Sequence, residues 1–174
     1  MVGGDFHDVF QRPDGLVMAP IGDVMGKGIV AAGYTETVRS AVRALALADP
    51  SPGHILHHVD LLLQTEESEQ FVSAQLLMLD PASGRAFLAS GGHPPAIHLS
   101  GTDARQLEKA RGPLLGLGEG RFRADHITLE PGDAIIFYTD GLTEARRDGH
   151  FFGEKRALSV AGDCADLLAQ AIVD

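Results

Sequence analysis

The alternation of apolar and polar side chains predicts a β-hairpin near the start of the chain. Val2 to Phe10 and Leu16 to Ile21 have the pattern of strands, and Pro13-Asp14-Gly15 between them is a turn signal. This hairpin would carry Asp5 on its first strand and Asp23 just past the end of its second strand.

The period then changes to that of two helices, which are predicted over about Ile29 to Ala48 and about His54 to Gln64. Asp49-Pro50-Ser51-Pro52-Gly53 separates them as a helix stop and a new start. The apolar residues expected to face inward are Val30, Tyr34, Val38, Ala41, Val42 and Leu45, followed by Ile55, Leu56, Val59, Leu62 and Leu63.

Short strands follow the helix pair, and a helix near Asp163 to Val173 is predicted to close the chain. The predicted strands are Phe71 to Leu79, Arg85 to Ser90, Ala96 to Leu99, Phe122 to Leu129 and Ala134 to Thr139. The last two are expected to pair through Glu130-Pro131-Gly132-Asp133. Antiparallel hairpins around an inserted helix pair predict an α+β fold rather than a parallel sheet.

Composition narrows the function classes. With 174 residues, 44% of them hydrophobic, the chain suits one globular domain. It shows no apolar run long enough to span a membrane and no signal-peptide pattern. Its one cysteine, Cys164, excludes an internal disulfide. We therefore expect a cytoplasmic protein that does not enter a membrane. The formal net charge of -10 and the absence of a Lys/Arg stripe argue against nucleic acid as a partner.

Three glycine-flanked acids, Asp5, Asp23 and Asp140, end or follow apolar runs. Each alone is typical of a turn. Together they would supply the hard oxygen ligands that suit Mg²⁺ or Mn²⁺, and such ions can clamp a phosphoryl group. On a regular strand Asp8 would point to the face opposite Asp5, so it could share the site only through a bulge or turn. The alternative is that Asp8 is a solvated carboxylate.

Other phosphate chemistries fit the sequence poorly. Gly22 to Gly28 has the wrong spacing for a nucleotide P-loop and lacks Ser or Thr after its lysine. Tyr138 stands where a haloacid-dehalogenase-type phosphatase has its nucleophilic Asp. A cysteine-based phosphatase needs an arginine six residues after its cysteine, whereas Gln170 follows Cys164 at that spacing.

Histidines offer two further candidates. His54, His57 and His58 share one helix face, where a solvated surface is more common than a zinc site without accompanying cysteines or carboxylates. His93, between two glycines and two prolines, is either a loop residue that ties down backbone or an acid–base or phosphate-binding group.

Five ordered motifs resemble the SpoIIE/RsbU branch of PPM-type, metal-dependent serine/threonine phosphatases, from Val2 to about Arg156. The motifs are Val2-Gly3-Gly4-Asp5-Phe6-His7-Asp8, Gly22-Asp23-Val24-Met25-Gly26-Lys27-Gly28, Gly91-Gly92-His93-Pro94-Pro95, Pro113-Leu114-Leu115-Gly116-Leu117, and Pro131-Gly132-Asp133 leading to Tyr138-Thr139-Asp140-Gly141-Leu142-Thr143-Glu144.

The resemblance implies an α-β-β-α sandwich of two mainly antiparallel sheets that holds two Mn²⁺ or Mg²⁺ ions. Asp5, Asp23 and Asp140 would be the catalytic metal ligands, with Asp23 bridging both ions. A backbone carbonyl of Gly22 or Val24 would add a ligand, with the neighbourhood of Gly22 favoured.

The resemblance also implies a reaction and a partner. A metal-activated water would hydrolyse phosphoserine or phosphothreonine directly, without a phosphoenzyme. The substrate would be a phosphorylated STAS-type anti-anti-sigma factor in a partner-switching stress-response pathway, and a homodimer is compatible with this role. The helix pair from Ile29 to Gln64 would be the element that regulatory modules move.

The sequence departs from the family pattern at both ends. It lacks the strand that precedes the first motif in the family and the final strand that carries an Asp-Asp pair, and Asp174 follows a helical pattern instead. Within the chain, Ser90-Gly91-Gly92 stands where the family usually has Asn-Ala-Gly. We therefore expect residues 1–174 to be a single PPM-type domain truncated at both ends. Two alternatives stay open, a metal-poor binding module that docks a STAS partner and a small-molecule phosphohydrolase.

Overall fold

The computed structural model describes residues 4–26, 28–65, 70–147 and 149–163, in two compact units. The first unit comprises the chain up to residue 93 together with 109–128, and the second comprises 94–108 and the chain from 129 onward. None of the described helices is both long and apolar enough to cross a membrane.

The first unit contains one antiparallel sheet and a pair of helices. Its elements are β1 (Asp5–His7), β2 (Phe10–Gln11), β3 (Val17–Val24), α1 (Ile29–Ala48), α2 (Pro52–Thr65), β4 (Val72–Leu79), β5 (Arg85–Gly91) and, from a later stretch of chain, β8 (Asp125–Thr128). The strands lie in the order β1-β3-β4-β5-β8, with β2 also paired to β3. The predicted first hairpin and the helix pair are both confirmed.

One face of this sheet packs against α1 and α2. Val72, Ala74 and Leu76 alternate along β4 and belong to the same buried cluster as Val38 of α1 and Val59 of α2. Side chains at the intervening positions of each strand must lie on the opposite face, because successive strand residues alternate.

The buried stripe of α1 differs from the prediction at its first turn. Val30 is 62% exposed. Ala31 and Thr35 are buried instead. Thr35 can be buried because its hydroxyl donates to the Ala31 carbonyl at 2.9 Å and lies 3.2 Å from the Gly4 carbonyl. Thr35 thus satisfies its polar atom within the helix and occupies a core position that apolar periodicity alone does not assign to it.

The second unit contains a three-stranded antiparallel sheet, a short hairpin and two helices. Its elements are β6 (Ile97–Ser100), β7 (Asp103–Gln106), β9 (Ala134–Ile136), α3 (Asp140–Thr143), β10 (Arg146–Arg147), β11 (His150–Phe151) and α4 (Glu154–Asp163). The sheet has the order β7-β6-β9, and β10 pairs with β11. Ile97, Tyr138, Ala157 and Ala161 form the buried cluster of this unit.

Two sequence predictions fail or fall short in this part of the chain. The strands around Pro131-Gly132 do not pair with each other, because β8 pairs with β5 whereas β9 pairs with β6. A turn signal indicates a change of direction but does not specify which sheet receives each strand. Helix α4 was not predicted, and residues 164–173 of the predicted final helix lie outside the described residues. The α+β class with antiparallel sheets is confirmed.

A buried polar network explains the Asp133 of the Pro131-Gly132-Asp133 motif. The guanidinium of Arg105 donates to His98 Nδ1 at 3.1 Å, which leaves Nε2–H to donate to Asp133 Oδ2 at 2.9 Å. Burial raises the pKa of Asp133, but hydrogen bonds from Ser100, His98 and the Glu130 N–H outweigh it, and the pKa lies below its ordinary value. The motif thus anchors a turn to β6.

Glycine substitutions at two positions should change stability in opposite directions. A Cβ on Gly22 would lie 2.5 Å from the Phe6 ring and 2.5 Å from the Ser73 carbonyl, whereas a Cβ on Gly33, inside α1, would meet nothing within 4 Å. We expect Gly22→Ala to lower the free energy of unfolding by about 1–3 kcal/mol. Gly33→Ala should raise it by about 0.5–1 kcal/mol through helix propensity. Urea unfolding of both variants measures this, and equal effects would contradict it.

Candidate metal centre

The structure brings Asp5 and Asp23 together on neighbouring strands. In the antiparallel pair of β1 and β3, Asp5 lies directly opposite Asp23, and Phe6 lies opposite Gly22. The prediction that Asp23 follows the end of its strand was wrong, because β3 continues to Val24. Phe6 and Val24 belong to the core beneath the helices, so both carboxylates lie on the opposite face of the sheet.

Gly4 lets two oxygen atoms approach its backbone closely, one of the Asp23 carboxylate and one of the Val24 carbonyl. A Cβ at Gly4 would overlap the Val24 carbonyl oxygen and would lie 2.7 Å from Asp23 Oδ1. The backbone is held there because the Val24 N–H donates to the Gly4 carbonyl at 3.1 Å. A carboxylate oxygen and a carbonyl oxygen that approach the same glycine are donors of the kind that Mg²⁺ and Mn²⁺ bind. The residues present therefore fit a hard cation.

Gly22 contributes to the core side of the sheet rather than to the face that carries the two carboxylates. Its missing side chain makes room for the ring of Phe6, on the core side of the sheet. Of the two carbonyl ligands considered, Val24 has its oxygen close to the Asp23 carboxylate, and the metal-ligand role of either carbonyl stays a prediction.

Asp140 begins α3 in the second unit and its side chain is exposed. Its carbonyl oxygen accepts the N–H of Glu144 at 2.7 Å, so the backbone of Asp140 closes this short helix. Within residues 4–26, 28–65, 70–147 and 149–163, no three Asp, Glu, His or Cys side chains form a group that could hold a metal ion. Asp5 and Asp23 are thus a pair among the described acids.

The sequence profile of a family described as stage II sporulation protein E (SpoIIE) matches residues 13–174. The chain belongs to the SpoIIE family. The resemblance to the SpoIIE/RsbU branch is thereby confirmed, and four of the five ordered motifs lie within the matched residues.

Two relatives of this SpoIIE-family chain are longer proteins. Phosphoserine phosphatase RsbU of Bacillus subtilis is 26% identical over 153 residues, covering 86% of this chain and 45% of RsbU. Protein IcfG of Synechocystis sp. PCC 6803 is 27% identical over 210 residues, covering 99% of this chain and 33% of IcfG. The chain spans less than half the length of either relative.

Solved structures show the same fold. The RsbU and RsbW domains of Rv1364c from Mycobacterium tuberculosis match with a TM-score of 0.84 at 31% identity, over 98% of this chain and 48% of that one. RsbX, crystallised in complex with magnesium, matches with a TM-score of 0.69 at 18% identity, over 98% of this chain and 80% of that one. The likeness to RsbX shows the fold alone.

Asp8 of the SpoIIE-family chain lies away from the acidic pair. The pairing of β1 and β2 with β3 keeps one register, so no bulge turns Asp8 towards Asp5. Asp8 instead receives a bidentate contact from Arg43 of α1, at 2.5 and 3.0 Å. This hydrogen bond holds the pKa of Asp8 below its ordinary value. Asp8 therefore ties the hairpin to α1, through an ion pair that the sequence did not indicate.

The three histidines of α2 behave as a surface face in this SpoIIE-family protein. The Nδ1 atom of His54 contacts Asp49 Oδ2 at 2.8 Å, whereas those of His57 and His58 lie 3.1 and 2.8 Å from backbone carbonyls of Gly120 and His54. All three side chains are exposed. Their ring nitrogens serve local hydrogen bonds, in agreement with the predicted solvated face.

Asp60 is a buried structural residue that apolar periodicity missed. It is 1% exposed, on the buried side of α2, and its Oδ1 accepts the N–H of Gly116 at 2.7 Å and of Gly118 at 3.4 Å. Gln64 donates to Oδ2 at 3.1 Å. A charged residue four positions after Leu56 on an apolar helix face was the available signal. The glycine of the Pro113 to Leu117 motif is explained separately, because Gly116 has a φ of +95° and a Cβ there would lie 2.7 Å from the Gln70 carbonyl.

Proposed function

We propose that this protein is a metal-dependent serine/threonine protein phosphatase that acts on a phosphorylated STAS-type anti-anti-sigma factor in the cytoplasm. The observation that carries the proposal is the in-register pair of Asp5 and Asp23 beside the Val24 carbonyl, in a chain of the SpoIIE family. The phosphoserine phosphatase activity named for RsbU and the RsbU and RsbW domains of Rv1364c support the reaction and the partner-switching setting.

Asp5, Asp23 and the Val24 carbonyl would hold Mn²⁺ or Mg²⁺, with Asp140 proposed on its motif as the ligand of a second ion. When bound, these ions supply Lewis-acid polarisation of a phosphoryl group and a lowered pKa of water. The chain itself keeps the two carboxylates on one face by strand pairing, and Gly4 lets the Asp23 carboxylate and the Val24 carbonyl approach the same point of the backbone. Magnesium in RsbX supports the choice of ion.

A metal-poor module that docks a STAS partner without hydrolysis is the second candidate. It is favoured by the observation that, among the described residues, no third Asp, Glu, His or Cys side chain joins the acidic pair. This candidate keeps the partner of the first but not the reaction.

The decisive experiment incubates the purified chain with a STAS-domain anti-anti-sigma factor phosphorylated by its kinase, with MnCl₂ and with EDTA. Phosphate should be released only with metal, and from the phosphoprotein much faster than from free phosphoserine. Binding of the STAS protein without phosphate release would establish the docking module. Faster turnover of free phosphoserine would overturn the protein substrate, and no binding or turnover would overturn both candidates.

A further inference from the structure

We propose that Ser73 and His93 act as a hydrogen-bonded pair that orients the Asp23 carboxylate for metal binding. Both would be positioning residues, since neither is proposed to touch substrate. The proposal rests on the function proposed above and extends it to two residues for which the metal-ligand assignment has no role.

Ser73 is the direct cross-strand neighbour of Asp23. In the antiparallel pair of β3 and β4, Asp23 lies opposite Ser73, and Val24 lies opposite Val72. Val24 and Val72 are both buried beneath the helices, which places Asp23 and Ser73 together on the other face. Side chains directly opposite have Cβ atoms about 4.5–5.5 Å apart. The Ser73 hydroxyl therefore lies on the β4 side of Asp23, as Asp5 lies on its β1 side.

The Ser73 hydroxyl also contacts the ring of His93. Its Nδ1 lies 2.9 Å from Ser73 Oγ, and the histidine is 7% exposed. The chain leaving β5 reaches this place beside β4, where Gly92 bridges to Ala74. The Gly92 N–H donates to the Gly112 carbonyl at 2.8 Å, which fixes the backbone just before the histidine.

The Gly91-Gly92 dipeptide is required for that path. A Cβ on Gly91 would lie 2.8 Å from the Leu115 side chain, and one on Gly92 would lie 2.6 Å from that of Leu114. Gly92 also has a φ of +68°, a conformation that favours glycine. Both glycines thus serve to deliver His93 to Ser73 over the two leucines, which accounts for the spacing of that motif.

The hydrogen-bonding groups of Ser73 and His93 allow the serine hydroxyl to donate to a neighbouring carboxylate. A serine hydroxyl has one proton and two acceptor lone pairs, whereas an ionised carboxylate only accepts. When His93 Nδ1–H donates to Ser73 Oγ, the serine proton is left to point towards Asp23. Such outer partners orient metal-binding side chains, and their loss costs about 10–100-fold in metal affinity.

The test is calorimetric titration of Mn²⁺ into the full chain and four variants. His93→Asn keeps an N–H near the Nδ1 position, whereas His93→Gln moves it to the Nε2 position. Ser73→Ala and His93→Gln should weaken Mn²⁺ binding by about 10–100-fold. His93→Asn should stay within about threefold of the wild type, as should the exposed control His126→Asn.

A second readout separates positioning from a merely structural role. In phosphatase assays Ser73→Ala should need more Mn²⁺ for half-maximal rate but recover the wild-type kcat at saturating Mn²⁺, while still unfolding in one cooperative transition in EDTA. Wild-type Mn²⁺ affinity in folded Ser73→Ala and His93→Gln would overturn this inference alone. Absence of Mn²⁺ binding by the wild-type chain would instead overturn the proposed function. If Ser73→Ala does not fold, the contrast between the two His93 variants decides.

Discussion

Replacing Asp23 by Asn should lower Mn²⁺-dependent dephosphorylation by about 10³-fold. The carboxamide keeps the size of the side chain but removes the charge that a divalent cation needs, and a bound ion contributes several kcal/mol to stabilising the transition state. Because Asp5 and Asp23 lie opposite each other, the variant also relieves like-charge repulsion in the metal-free protein. Its melting temperature in EDTA should therefore equal or exceed that of the wild type.

The matched control is Asp103→Asn, which changes an exposed aspartate of β7 in the same way. It should leave the rate and the Mn²⁺ dependence unchanged. In addition, Mn²⁺ should raise the melting temperature of the wild type and of Asp103→Asn but not that of Asp23→Asn, because only a ligand that binds the native state stabilises it. Equal rates for Asp23→Asn and the wild type would remove Asp23 from the proposed centre.

The largest loss of stability is expected from Asp60→Ala. The change leaves the N–H groups of Gly116 and Gly118 without their carboxylate acceptor and empties a buried position in α2. The N–H of Gly116 without its acceptor costs about 1–3 kcal/mol, and the emptied buried position adds to this, so we expect a loss of about 3 kcal/mol in the free energy of unfolding. For a chain of this size that corresponds to a fall of about 6–12 °C in melting temperature.

Asp60→Asn separates the hydrogen bonds from the packing. Its carbonyl oxygen can still accept from Gly116, and Gln64 can rotate its amide to meet the new N–H groups. The loss should therefore be less than half that of Asp60→Ala, whereas Asp103→Ala on the exposed strand should cost at most about 0.5 kcal/mol. Thermal unfolding measures all three, and a melting temperature of Asp60→Ala within about 2 °C of the wild type would contradict the role assigned to the carboxylate.

The local elements were the most predictable part of this fold. Helix α1 has the predicted bounds, and α2 begins at Pro52, two residues before the predicted start, because proline needs no hydrogen bond in a first helical turn. The 20 residues of α1 repeat the helical period often enough to specify the element. Short elements such as α3 and β7, of four residues each, carry too little pattern to be recognised.

The candidate site was predictable in its residue types but not in its arrangement. Glycine-flanked acids in a fixed order indicated Asp5, Asp23 and Asp140, and the order and spacing of the same motifs were enough to indicate the family. Strand alternation also placed Asp8 on the face opposite Asp5, as observed. The closeness of the Val24 carbonyl to the Asp23 carboxylate could not be predicted from sequence, because it depends on how Gly4 approaches β3.

Chain-local information thus determined the helix pair, the first hairpin, the ordered motifs and the chemical character of the acids, since period, turn residues and side-chain chemistry are all encoded within short segments. Tertiary structure alone decided that Asp5 pairs with Asp23, that Ser73 is the neighbour of Asp23 on β4, and that Asp60 is buried. Tertiary structure also decided that β8 and β9 pair within different sheets. These outcomes depend on which distant segments share a ladder or a core, and that choice is made by the summed packing of many residues rather than by any local pattern.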